Sequence, residues 1–133
     1  MCKATRGSVV SFVAALLFLF AAPARAEKMA LDGTTFVGTM TEKGKTKADP
    51  DQLVFKDGKF RSTACDVYGF PETHYTSTVG DGATRFEATA TSPKEGTMKW
   101  KGTVKGNTIE GTAVWVKKGQ ADMQYTFEGK RKE

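Results

Sequence analysis

The chain predicts an all-β domain, an antiparallel up-and-down barrel of about eight short strands, with a β-sandwich as the alternative. Three observations predict it. Thr, Val, Phe, Tyr and Trp recur in alternation with polar residues, which is the period of a strand with one buried face. Turn dipeptides rich in Gly and Asp interrupt that alternation every eight to twelve residues. Helix periodicity and helix-capping patterns are almost absent after residue 26. A single sheet with one apolar face would leave that face wet, so it must close on itself or pair with another sheet. Sequential hairpins without long crossovers favour closure.

The elements follow in order. Phe36 and Met40 share one face of a first strand. Residues 42–51 form the longest polar stretch, with Gly44 and Pro50, and read as a mobile loop. Leu53 and Phe55 align, then Asp57-Gly58 turns the chain into a strand carrying Phe60 and Ser62. Tyr75 and Val79 align before Asp81-Gly82. Phe86, Ala88 and Ala90 align before a longer turn at 93–96. Residues 97–104 place Met98, Trp100, Gly102 and Val104 on one face and Lys99, Lys101 and Thr103 on the other. After Gly106-Asn107, residues 108–116 align Ile109, Gly111, Ala113 and Trp115. After Lys118-Gly119, residues 121–128 align Ala121, Met123, Tyr125 and Phe127. Asp-Gly and Gly-Asn suit two-residue hairpin loops, which need positive φ. Gly38, Gly102 and Gly111 fall inside strands, where glycine is costly unless the wall bends or backbones approach closely. Such bends belong to barrel corners.

The first 26 residues have another purpose. Lys3 and Arg6 precede an apolar run from Val9 to Ala22, and Ala24-Arg25-Ala26 supplies the small residues of a cleavage site. That is the layout of a secretory signal peptide. The run is shorter than the ~20 residues a membrane-spanning helix needs. Residues 27–133 are then one domain of periplasmic or secreted location, with no membrane anchor. The whole chain carries a formal charge of +5, but residues 1–26 hold three cations and no acids. The remainder has seventeen cations against fifteen acids, a net +2. These charges are scattered, which argues against nucleic acid as a partner. Outward faces rich in Lys and Glu, and a C-terminus of Lys130-Arg131-Lys132-Glu133, argue against a membrane barrel.

Gly33-Thr34-Thr35-Phe36, at the start of the first strand, resembles the Gly-x-Trp opening of lipocalins, with Phe36 where Trp is usual. Arg131, just after the last strand, resembles the basic residue that packs over that aromatic. The layout is thus similar to the calycin barrels, which include lipocalins, avidins and fatty-acid-binding proteins. The resemblance implies a ligand-binding barrel. The overall pattern also resembles small secreted proteins of Gram-negative bacteria, which implies a compartment and no activity.

Function is therefore read as binding of a small apolar ligand in or at the mouth of the barrel, or as a structural or interaction role for a filled barrel. Phe36, Trp100, Trp115, Met123, Tyr125 and Phe127 are the candidate lining, and most such stripes are core. Tyr68 and Phe70 lie in an aromatic segment at residues 65–71, where a surface loop should be polar. They either plug one barrel end or face a ligand. Cys65 is the one thiol after residue 26 and has no intrachain disulfide partner. Counting alternation from Phe60 points it outward, where it is a candidate reactive thiol and a candidate for linking a homodimer. With His74 it could make a nucleophilic pair, but no spacing requires their contact, so no catalytic residue is assigned. No short ligand spacing recurs, so no metal or cofactor is expected.

Overall fold

The computed structural model describes residues 29–133. The expected signal peptide and the Glu27 start lie outside the described residues. Eight antiparallel strands close into a barrel in sequence order: β1 (Thr34–Glu42), β2 (Ala48–Lys56), β3 (Lys59–Ser62), β4 (Thr73–Gly80), β5 (Ala83–Ser92), β6 (Gly96–Lys105), β7 (Thr108–Val116) and β8 (Met123–Arg131). The last strand returns to the first through pairs from Phe36↔Arg131 to Glu42↔Tyr125. The up-and-down barrel is therefore the fold, and the sandwich alternative is set aside.

Tight turns at 57–58, 81–82 and 106–107 gather at one end, here the lower end, with residues 29–33. Asp57 and Asp81 take positive φ there, beside Gly58 and Gly82, as a two-residue hairpin requires. The upper end holds connections 43–47, 93–95 and 117–122, together with a 3-10 helix over Thr63–Tyr68 that follows β3.

Alternation sends the apolar side chains inward. Seven rings, Phe36, Phe55, Phe60, Tyr75, Phe86, Trp100 and Phe127, form one connected cluster with centroids 4.9 to 6.3 Å apart. All seven are buried. Rings at these separations and tilts gain edge-to-face attraction beyond their burial. They fill the barrel in the way eight-stranded barrels are filled by side chains. The outer face carries threonines and charges, the reverse of a lipid-facing band.

Glycine makes the packing fit. Gly102 and Gly111 face each other on β6 and β7. A Cβ on Gly102 would lie 2.6 Å from the Phe86 ring and 2.8 Å from the Phe127 ring; one on Gly111 would lie 2.2 Å from the Lys101 carbonyl oxygen. Two large rings thus occupy the space of two missing side chains.

The lower end is closed by hydrogen bonds. The Tyr75 hydroxyl donates to Asp32 Oδ1 (2.8 Å) and accepts from the Leu31 amide (3.2 Å), while the Gly58 amide donates to the same carboxyl (2.9 Å). Burial, followed by the hydrogen bond and charge of Asp32, raises the Tyr75 pKa. Arg131 stands over the Phe36 ring at 5.4 Å, the contact that the calycin resemblance implies.

Three expectations change. The polar loop is shorter than residues 42–51, because β2 begins at Ala48 and takes in Pro50 opposite Thr39. The strands are mostly 8–10 residues long and so are not unusually short; the polarity of their outer face separates them from membrane strands. Cys65 points inward: the 3-10 helix interrupts the alternation after Ser62, and the thiol is 5% exposed.

Candidate functional site: the upper rim

The eight candidate binding residues do not share one lining. Phe36, Trp100 and Phe127 belong to the packed ring cluster, with Phe36 at its lower end under Arg131. Phe70, just after the 3-10 helix, turns into the core. The other four, Tyr68, Trp115, Met123 and Tyr125, meet at the upper rim. Trp115, next to last in β7, pairs across to Met123 at the start of β8, and Tyr125 follows two residues on, opposite Ala113. Met40 on β1 joins them, half-buried against the core.

Each rim group is fixed by a local contact. The Tyr68 carbonyl accepts from the Ser92 hydroxyl (2.9 Å), which ties the end of the 3-10 helix to β5. Its ring lies 6.4 Å from the Trp115 ring, tilted by 42°, and the residue is 54% exposed. The Trp115 indole N–H donates to the Glu95 carbonyl oxygen. Lys117 Nζ sits 5.9 Å over the same indole and pairs with Glu95 Oε1 at 2.8 Å. Tyr125 has its phenol pKa raised by burial, then by the charges of Glu42, Cys65, Tyr68 and Asp49. Its hydroxyl approaches the Met123 sulfur (3.9 Å). The rim therefore offers half-open aromatic and thioether surface in which the Trp115 N–H and the Tyr125 hydroxyl already have partners. Such a surface suits a flat apolar group.

Beneath the 3-10 helix lies a buried polar group that sequence reasoning missed. Asp51 points inward and accepts two contacts from the Ser62 hydroxyl (2.7 and 2.9 Å) and one from the Ala64 amide (3.0 Å). Burial raises its pKa, and the Ser62, Ala64 and Gln52 hydrogen bonds oppose that rise. The alternation of Leu53 and Phe55, run backwards, would have found it. Cys65 adjoins this group, and burial pushes its thiol up to about 11. A thiol with that pKa is protonated near neutral pH and is a poor nucleophile. Outside the helix, Arg61 grips Asp66 through Nε (3.1 Å) and Nη2 (2.6 Å). His74 is exposed on β4. Among the described residues, no three His, Cys, Asp or Glu side chains are placed to hold a metal.

A concavity of about 850 Å³ lies outside the barrel, on the wall from β4 round to β1 over Gly102 and Gly111. Its lining mixes polar groups, Thr76, Arg85, Lys101, Glu110 and Thr112 among them, with the Phe86 and Phe127 rings. The strand-interior glycines were its sequence signal.

Comparison with known families, with curated proteins and with solved structures returns no match.

Proposed function

We propose that this is an exported, non-enzymatic interaction module whose contact surface is the upper rim, where Tyr68, Trp115, Met123 and Tyr125 receive a flat apolar group. The observation that carries the reading is the contrast between two sets of aromatics. The interior rings touch one another and leave no lining to share. In the rim pair, Tyr68 is more than half exposed and Trp115 is only partly buried. The ligand thus rests on the mouth and does not enter the barrel. The closed eight-stranded barrel and the Arg131–Phe36 contact are compatible with a calycin-type ancestry. The basic, apolar and small-residue order of residues 1–26 supports export.

A fluorescent apolar probe such as 1-aminoanthracene tests the rim. Wild type is expected to bind it, and Tyr68→Ala is expected to weaken binding at least several-fold while leaving the unfolding midpoint near wild type, since Tyr68 is more than half exposed. Unchanged binding by Tyr68→Ala contradicts the rim assignment. Sequencing of the exported protein is expected to return Glu27; a Met1 start contradicts export by cleavage.

A further inference from the structure

Among the described residues, the barrel seam between β3 and β4 leaves two strand edges without a strand partner. β3 is four residues long and pairs with β4 only at Lys59↔His74 and Phe60↔Thr73. One more bond follows, from the Tyr75 amide to the Gly58 carbonyl oxygen (3.2 Å). Beyond it, residues 76–80 of β4 pair with β5 alone among the described residues. On the other side of the seam, residues 48–52 of β2 extend past the end of β3.

The two edges are treated differently. The β2 edge is blunted. The Gln52 amide, which faces the seam, donates to Thr63 Oγ1 (3.2 Å). Two residues earlier the position with the same orientation is Pro50, which has no N–H. Asp49 adds a charge there, and the 3-10 helix packs alongside. The β4 edge has none of these devices. Its sequence, Thr76-Ser77-Thr78-Val79-Gly80, carries no charge and no proline. A Cβ built on Gly80 meets nothing within 4 Å, and Val79 is 68% exposed.

The Tyr75 bond also fixes which groups are open. In an antiparallel strand a residue's N–H and C=O point to the same side, and the side alternates. Tyr75 faces the seam, so Ser77 and Val79 do too, while Thr76, Thr78 and Gly80 face β5.

We infer that the β4 edge is an interface for a second copy of this chain, paired antiparallel about a two-fold axis at Thr78. The register is self-complementary. With Thr78 opposite Thr78, Ser77 of each copy meets Val79 of the other, and the open groups form two hydrogen-bonded pairs. An axis at Ser77 would need Tyr75, whose amide is already bonded to Gly58. An axis at Val79 would need Asp81, which sits in the turn at φ 53°. A Thr–Thr pair on the axis is favourable and uncharged, so two copies meet without repulsion. Among the described residues each chain has one bare edge, so the assembly stops at two.

Sedimentation of the purified protein, together with amide exchange, tests this. The short edge implies weak pairing, so wild type is expected to double in mass as concentration rises to about 1 mM, with the Ser77 and Val79 amides gaining protection in step. Thr78 lies on the outer face, so Thr78→Lys and Thr78→Glu are each expected to fold and to stay monomeric, while an equimolar mixture pairs again. Wild type that stays monomeric at 1 mM overturns the inference, as does a Thr78→Lys protein that pairs like wild type, or a mixture that stays monomeric. Slow exchange at Ser77 and Val79 in dilute wild type also overturns it, since the chain itself would then cover the edge.

Discussion

Replacing Phe86 by Ala tests whether the barrel is filled. Phe86 is buried on β5, with ring centroids of Phe55, Phe60 and Phe127 at 4.9, 5.4 and 6.3 Å. Fully burying a Phe side chain contributes ~1.5–3 kcal/mol, and truncation adds a cavity term because the ring neighbours relax only partly. The expected loss is ~3–5 kcal/mol. That is a large part of the ~5–15 kcal/mol that stabilises a domain of this size. Urea unfolding followed by far-ultraviolet circular dichroism reads it. With a slope of ~1–3 kcal/mol per molar urea, the midpoint should fall by roughly 2 M. The hole should also be dry and lined by rings, so benzene or indole is expected to restore part of the loss. A midpoint within error of wild type would refute the reasoning, because it would mean that Phe86 already bordered empty space.

Other outcomes follow from the upper end. Cys65 is expected to resist maleimide labelling in the native protein and to react at once on unfolding; fast native labelling near neutral pH would contradict a buried thiol held at about 11. Asp51 has its native pKa raised above its ordinary value of 3.8, so its protonation favours the folded state. Its contribution to stability is fully present below 3.8 and is lost as pH rises through the native value. Asp51→Asn is therefore expected to flatten the stability difference between mild acid and neutral pH relative to wild type, and an unchanged pH profile would contradict the assignment. Trp115→Ala is expected to cost less than Phe86→Ala, about 1–3 kcal/mol, because Trp115 is only partly buried and borders the rim; a cost equal to that of Phe86 would place it in the core.

The strand pattern was legible because period-two alternation and Asp-Gly turns are local signals. Trp100, Gly102 and Val104 on β6, and Ile109, Gly111 and Ala113 on β7, fall on the inner face that alternation assigned. What alternation could not carry was its own interruption. Nothing in Thr63-Ala64-Cys65 announces a 3-10 helix, and that one element moved Cys65 from the outside to the core. The same local reading shortened β2, since Pro50 looked like a loop residue. Proline is tolerated where its missing N–H faces an unpaired edge, and that edge exists only because β3 is short, which is a tertiary fact. The rim shows the same limit. Trp115 and Trp100 share a strand parity, yet one lies at the mouth and the other mid-barrel, because depth along the barrel depends on how the strands are staggered.

The two tryptophans supply the most direct measurement of the central claim, that the interior is filled and contact happens at the upper rim. Single-tryptophan proteins, Trp100→Phe and Trp115→Phe, can be titrated with a brominated naphthalene, which quenches indole only on contact. The account predicts strong quenching of Trp115 in the first protein and almost none of Trp100 in the second. Quenching of Trp100 at the same probe concentration, with the fold intact by circular dichroism, would place the ligand inside the barrel and contradict the account.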